Sequence, residues 1–135
     1  MKNPFLFLAG LFGTTGVALG ALGAHALKEK LKAGIIDSFQ YDAFDKGTKY
    51  QLFHAIVLLF IFFLYRSYPT KLVKISGWLF TIGILFFSVS IYFLSTQPIT
   101  KMNFSWMGPI TPVGGILLMS GWVCIVIQAL KLPKD

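Results

Sequence analysis

The sequence predicts an all-α protein: a four-helix transmembrane bundle with a short amphipathic interfacial segment between helices 1 and 2. Three observations carry this. Hydrophobic residues make up 56% of the 135-residue chain and charged residues 13%, against roughly 45–50% and 25% in soluble domains. Mean hydropathy is +0.72. The apolar residues are also gathered into four blocks, and a soluble domain of this size cannot cover so much continuous apolar surface. The length fits a single membrane domain, 1–135, with spans over about 5–27, 48–65, 75–94 and 110–130 and an interfacial loop over 28–47.

The first span, FLFLAGLFGTTGVALGALGAHAL, is seeded with glycines. Ala24-His25-Ala26 imitates a signal-peptidase site, but the apolar run of about twenty residues exceeds the roughly 7–15 of a signal-peptide core. The segment therefore reads as a retained membrane helix. Gly10, Gly13, Gly16, Gly20 and Gly23 fall within an arc of roughly 140° at 3.6 residues per turn. Small residues let helix backbones approach closely, which in lipid replaces the missing hydrophobic drive. All five glycines are thus expected at a helix–helix seam, with a glycine-lined pore or groove as the rarer use.

Residues 28–49 carry five lysines and four acids alternating with Leu31, Ile35, Ile36, Phe39, Tyr41 and Phe44. This pattern predicts one or two short amphipathic helices at the membrane surface, broken near Gly34. The acids lack the spacing of a calcium loop. The second span follows and ends at an aromatic and basic belt, Tyr65, Arg66 and Tyr68, before Pro69. In the third, Gly77, Thr81, Ser88 and Tyr92 share an arc of roughly 60°, a small, hydroxyl-bearing face suited to a helix seam. The fourth opens with Pro112 in its first turn, where a missing N–H costs nothing. Gly114, Gly115 and Gly121 follow as packing candidates.

The net charge of +7 does not point to nucleic acid. The basic residues flank the spans, as membrane anchors do, and no basic stripe with interleaved aromatics is present. The one cysteine, Cys124, excludes an intramolecular disulfide and a cysteine-based metal cluster. Four spans place both termini on one side. Lys2, Arg66, Lys71, Lys74, Lys131 and Lys134 would face that side, and Lys28, Lys30, Lys32, Lys46, Lys49 and Lys101 the other. The purely basic middle loop favours both termini in the cytoplasm.

The one candidate polar or ligand site is His25 with Tyr50, Gln51 and His54. The histidines end one span and begin the next, so both are expected near the same interface. Polar and ionisable groups at membrane depth are a functional hypothesis by default. Three uses stay open: hydrogen bonds that pin the first two helices, binding of a quinone headgroup or haem iron, or a proton or solute path. Two histidines make a poor zinc site without a third ligand, and no intramembrane carboxylate continues a proton path. Ser88 and Ser90 lack a nucleophile-elbow context, and no phosphate-binding glycine loop is present. No metal, resident cofactor or catalytic residue is expected.

The motifs Gly20-Ala21-Leu22-Gly23-Ala24-His25 with Leu27, Tyr50-Gln51, His54-Ala55, Phe87-Ser88-Val89-Ser90-Ile91-Tyr92, Ile110-Thr111-Pro112-Val113-Gly114-Gly115 and Gly121-Trp122 resemble, in order, those of the YgdD-like small membrane proteins. The resemblance spans nearly the whole chain. It implies a four-helix fold in a bacterial inner membrane and supplies no activity. Residues 34–46 match none of its motifs. The expected function is therefore that of a multi-pass inner-membrane protein without enzymatic activity, a structural or accessory component packing through glycine faces. Its partners would be the bilayer and either further copies of itself or a larger membrane complex. The alternative is a ligand-binding or transport protein that uses His25 and His54.

Overall fold

A computed structural model describes residues 3–132. Lys2 and Lys134, two of the charges used for orientation, lie outside the described residues. Among the described residues, four helices are long and apolar enough to cross a membrane: α1 (Pro4–Lys32), α2 (Ser38–Ser67), α3 (Lys71–Thr100) and α4 (Ile110–Leu130). A 3₁₀ turn, Ser105–Met107, precedes α4. The fold is the all-α, four-span architecture expected.

The helices run further than the apolar blocks. Pro4 opens α1 in its first turn, where its fixed φ is already helical. The helix then continues through the lysines of 28–32 to a left-handed Gly34 at φ 68°. There the Ile35 N–H donates to the Lys30 carbonyl and the Gly34 N–H to the Leu31 carbonyl, both at 3.0 Å. These are the paired bonds of a Schellman turn. Three residues later Asp37 caps α2. Its carboxylate accepts from the Gln40 N–H at 2.7 Å, and the Gln40 side chain accepts from the Asp37 N–H at 3.0 Å, a capping box. The amphipathic stretch is thus helical and broken at Gly34, but continuous with the spans on either side. Its apolar residues Leu31, Ile36, Tyr41 and Phe44 close over Leu27 in a small cluster of their own. A methyl at Gly34 would meet nothing within 4 Å, so Gly34→Ala should cost only the left-handed backbone penalty, about 1 kcal/mol. Urea unfolding in detergent micelles measures it.

The helices associate as two pairs, α1 on α2 and α4 on α3, joined by α2 against α3. The inner helices are accordingly better covered. In their most apolar windows 39% of α2 and 44% of α3 is buried, against 17% for α1 and for the helix that ends at Leu130. One core cluster joins Phe5, Ala9 and Phe12 of α1, Ala55, Leu58 and Ile61 of α2, Val73, Phe80 and Ile84 of α3 and Leu118 of α4.

Glycines set the closest approaches. At Gly16 an added methyl would lie 2.8 Å from Leu52, at Gly20 3.3 Å from Thr48 and at Gly23 3.2 Å from the Phe44 ring. These three hold the α1–α2 seam. Gly10 and Gly13 do not, since nothing lies within 4 Å of either added methyl. The reason is angular: the buried stripe of α1 is centred on Ala9, Phe12 and Gly16, and Gly10 and Gly13 lie on the outer edge of the glycine arc.

In the α3–α4 seam, Gly114 sits against the backbone of Phe86 and Phe87, and Gly121 against the Phe80 ring. Gly115, expected in the seam, only grazes Phe87 at 3.8 Å. Gly114 meets α3 where that helix widens into a π-helical turn, Leu85–Val89. Ser90 stitches this turn to α4, for its hydroxyl reaches the Phe86 and Phe87 carbonyls at 2.5 and 3.0 Å and the Thr111 hydroxyl at 2.7 Å. Ser88, in the same turn, is fully buried, and among the described residues its hydroxyl has no partner.

Candidate functional site

Gln51 is the polar centre of the bundle. It is 3% exposed and lies in the α1–α2 seam, where Gly16 leaves room for its amide. Its amide nitrogen donates to the Phe12 carbonyl at 2.9 Å and to the Thr15 hydroxyl at 2.8 Å. Its amide oxygen accepts from the Tyr92 hydroxyl at 2.9 Å. One side chain on α2 therefore binds α1 and α3 at once, and both N–H donors are used. A side chain so saturated has little left for a ligand.

His54 lies one turn beyond Tyr50, and its Nδ1 is 2.8 Å from the Tyr50 carbonyl. Since a carbonyl only accepts, Nδ1 carries the hydrogen, and in the neutral ring Nε2 keeps its lone pair. The residue is 7% exposed and its ring packs among aromatics, with centroids 5.5 Å from Phe80, 5.9 Å from Tyr50 and 6.3 Å from Trp122. Tyr50 turns its own ring onto Phe87, 4.7 Å between centroids. A recess of about 560 Å³ opens here between α2 and α4, lined by Tyr50, Phe53, His54, Met119 and Trp122. Tyr50 and Phe87 also line a second hollow, of about 690 Å³, whose rim carries Asp42 and Lys46.

His25 is elsewhere. It is exposed, within a π-helical turn of α1, Gly23–Leu27. Gly23 faces Phe44, Gly20 faces Thr48 and Gly16 faces Gln51 and Leu52. This antiparallel register sets His25 level with about residue 42 of α2. His54 lies some 12 residues further along, roughly 18 Å at 1.5 Å per residue. The expectation that both histidines lie near the same interface is thereby overturned, because residues 38–47 are continuous with the second span instead of forming a separate amphipathic segment at the membrane surface. Tyr50, Gln51 and His54 stay together, and His25 does not join them.

Tyr92 and Thr15, which complete the Gln51 network, were not foreseen as its partners. Tyr92 carried a signal, its place on the hydroxyl-bearing face of the third span. Thr15 carried none beyond its position one residue before Gly16. Among the described residues no three His, Cys, Asp or Glu side chains come together as metal ligands would.

Comparison with known proteins bears on the whole of this arrangement. A family model described as "Protein of unknown function (DUF423)" matches residues 19–115, from the first glycine seam to the start of α4. A "UPF0382 membrane protein" of Staphylococcus epidermidis is 39% identical over 127 residues, covering 94% of this chain and 95% of that one. The "UPF0382 membrane protein YwdK" of Bacillus subtilis is 34% identical over 128 residues, covering 94% and 96%. A relative of the same description in Haemophilus influenzae is 36% identical over 132 residues, covering 97% of each chain. No solved structure matches. These relatives are named membrane proteins with no activity attached. With four spans, a glycine seam and a saturated polar centre in place, the chain belongs to the DUF423 family of integral membrane proteins, a family of unknown function.

Proposed function

We propose that the protein is a non-enzymatic accessory component of the inner membrane, associating laterally with a second copy of itself through the outer face of α1. One observation carries this reading. Gly10 and Gly13 point away from the bundle, and a methyl at either meets nothing within 4 Å. Thr14, Val17 and Ala21 share that face and are exposed. Facing lipid tails, such a surface forfeits side-chain packing; against a second helix it permits close backbone contact. The glycines at 16, 20 and 23 are already spent inside the fold, which leaves this outer face as the part of α1 available to a partner. The bilayer and a second copy are the partners proposed, with no nucleic acid.

Both termini in the cytoplasm is the proposed orientation, supported by Arg66, Lys71 and Lys74 at the α2–α3 turn.

An added methyl at position 10 or 13 meets nothing within 4 Å and both lie on the outward face of α1, so Gly10→Leu and Gly13→Leu should leave unfolding unchanged. Energy transfer between labelled copies in lipid vesicles should fall, with the association weakened by about 1 kcal/mol, roughly fivefold. A wild-type chain that shows no transfer at all would refute self-association. Transfer that persists unaltered in both variants would move the contact to another face. Loss of a larger membrane complex in the variants, with no self-association in the wild type, would keep the face and replace its partner.

A further inference from the structure

The recess between α2 and α4 has a feature that packing does not account for. His54 is more than nine-tenths buried, its Nδ1 is committed to the Tyr50 carbonyl, and among the described residues no donor reaches Nε2. His54 lies on a helix long and apolar enough to cross a membrane, where hydrocarbon offers no water to satisfy a lone pair. His54 lines the recess together with Tyr50, Phe53, Trp122 and the thioether-bearing Met119. Aromatic faces and a sulfur suit a flat ring. The volume of about 560 Å³ falls within the range of small-molecule sites. We propose that this recess binds the ring of a membrane-soluble hydroquinone, one ring hydroxyl donating to His54 Nε2 and the apolar tail leaving between α2 and α4 into lipid.

The tautomer selects the chemistry. With Nδ1 donating to a carbonyl, Nε2 of the neutral ring can only accept, so the ligand must bring the hydrogen. A hydroquinone does so. The corresponding quinone carries only carbonyl acceptors at the same positions and leaves the lone pair unpaired. Gly115 supplies the width of the recess: it lines the wall, and the nearest atom to an added methyl is the Phe87 ring at 3.8 Å. A larger residue there would grow from the wall of the recess, its Cβ meeting only the Phe87 ring within 4 Å. The site shares no residue with the outer face of α1, so it stands or falls separately from self-association.

The test is equilibrium binding of a short-tailed benzohydroquinone to the full chain in lipid nanodiscs under reducing conditions. Its quinone and its dimethyl ether serve as analogues without a donor. Quenching of Trp122 fluorescence, in a Trp78→Phe, Trp106→Phe background, reports occupancy of the recess. The hydroquinone is expected to bind saturably and about tenfold more tightly than the quinone or the ether, the value of one buried hydrogen bond. His54→Phe keeps an aromatic ring, removes the acceptor and should erase that tenfold preference. His54→Gln restores an acceptor and should recover part of it. Gly115→Leu should abolish binding of all three compounds while the helical content and unfolding midpoint stay at wild-type values.

Equal affinity for hydroquinone, quinone and ether in the wild type would overturn the proposal, since the recess would then be an unselective apolar groove. Absence of saturable binding would overturn it as well, as would a Gly115→Leu chain that binds normally. If His54→Phe fails to fold, the comparison of the three compounds on the histidine-bearing protein still decides.

Discussion

Replacing Gly114 by alanine should unfold or rearrange the α3–α4 half of the molecule, with a loss of about 3 kcal/mol, the upper end for an inserted methyl group. The size of the effect follows from what the methyl meets. At most glycines of this bundle the obstacle is a side chain that can turn, such as Leu52 opposite Gly16. At Gly114 the obstacle is the peptide joining Phe86 to Phe87, with the Phe86 carbonyl carbon 2.7 Å from the added methyl. A backbone cannot rotate away. It can only retreat, which would pull Thr111 from Ser90 and open the π-helical turn that Ser90 holds. The neighbouring Gly115→Ala is the control, because its methyl lies in ordinary contact at 3.8 Å and should change stability by less than about 0.5 kcal/mol. Thermal unfolding of both variants in the same detergent measures the contrast, and equal effects would contradict the close approach.

Gln51→Leu should be the next most damaging change, at about 2 kcal/mol. It deletes three hydrogen bonds that tie α2 to α1 and α3. Side-chain bonds between helices in a membrane average only about 0.6 kcal/mol each, so three of them account for most of the estimate. The rest comes from the Tyr92 hydroxyl, left buried without its acceptor. Tyr92→Phe removes one of the three and should cost about 0.6 kcal/mol. In the Gln51→Leu background the same change should cost nothing or return a small gain, because the shared bond is already gone and the orphaned hydroxyl is removed with it. Steric trapping or unfolding in mixed micelles can follow the full cycle. Strict additivity of the two changes would show that Gln51 and Tyr92 do not meet.

The four spans were legible because hydropathy is a sum over many residues. The break at Gly34 was legible because a single residue type dominates the energetics of a left-handed turn. The glycine seam was legible only as an arc. A helical wheel orders Gly10, Gly13, Gly16, Gly20 and Gly23 by angle but does not say which part of the arc a partner covers, and the bundle covers the part centred on Gly16. The candidate site was half legible. Tyr50, Gln51 and His54 are close in sequence, so helical geometry alone keeps them together. His25 joined them only on the assumption that residues 38–47 lie at the membrane surface, separate from the second span. Once the Asp37 capping box starts α2 there, every further residue adds 1.5 Å of depth and the histidines part. Gln51 reaches Tyr92 across 41 positions of sequence, a meeting set by the packing of α2 on α3 that no local pattern encodes.

The outer face of α1 is the central claim, and disulfide formation between copies tests it most directly. In a Cys124→Ser background, Val17→Cys places a thiol on that face and Val126→Cys places one on the outer face of α4. The two valines are 64% and 59% exposed, so accessibility does not favour either. Copies inserted in the same direction meet about an axis along the membrane normal, which brings identical positions of α1 together. Mild oxidation in native membranes should therefore link Val17→Cys chains into dimers and leave Val126→Cys chains single. Linking at position 126 with none at 17, or equal linking at both, would contradict the account.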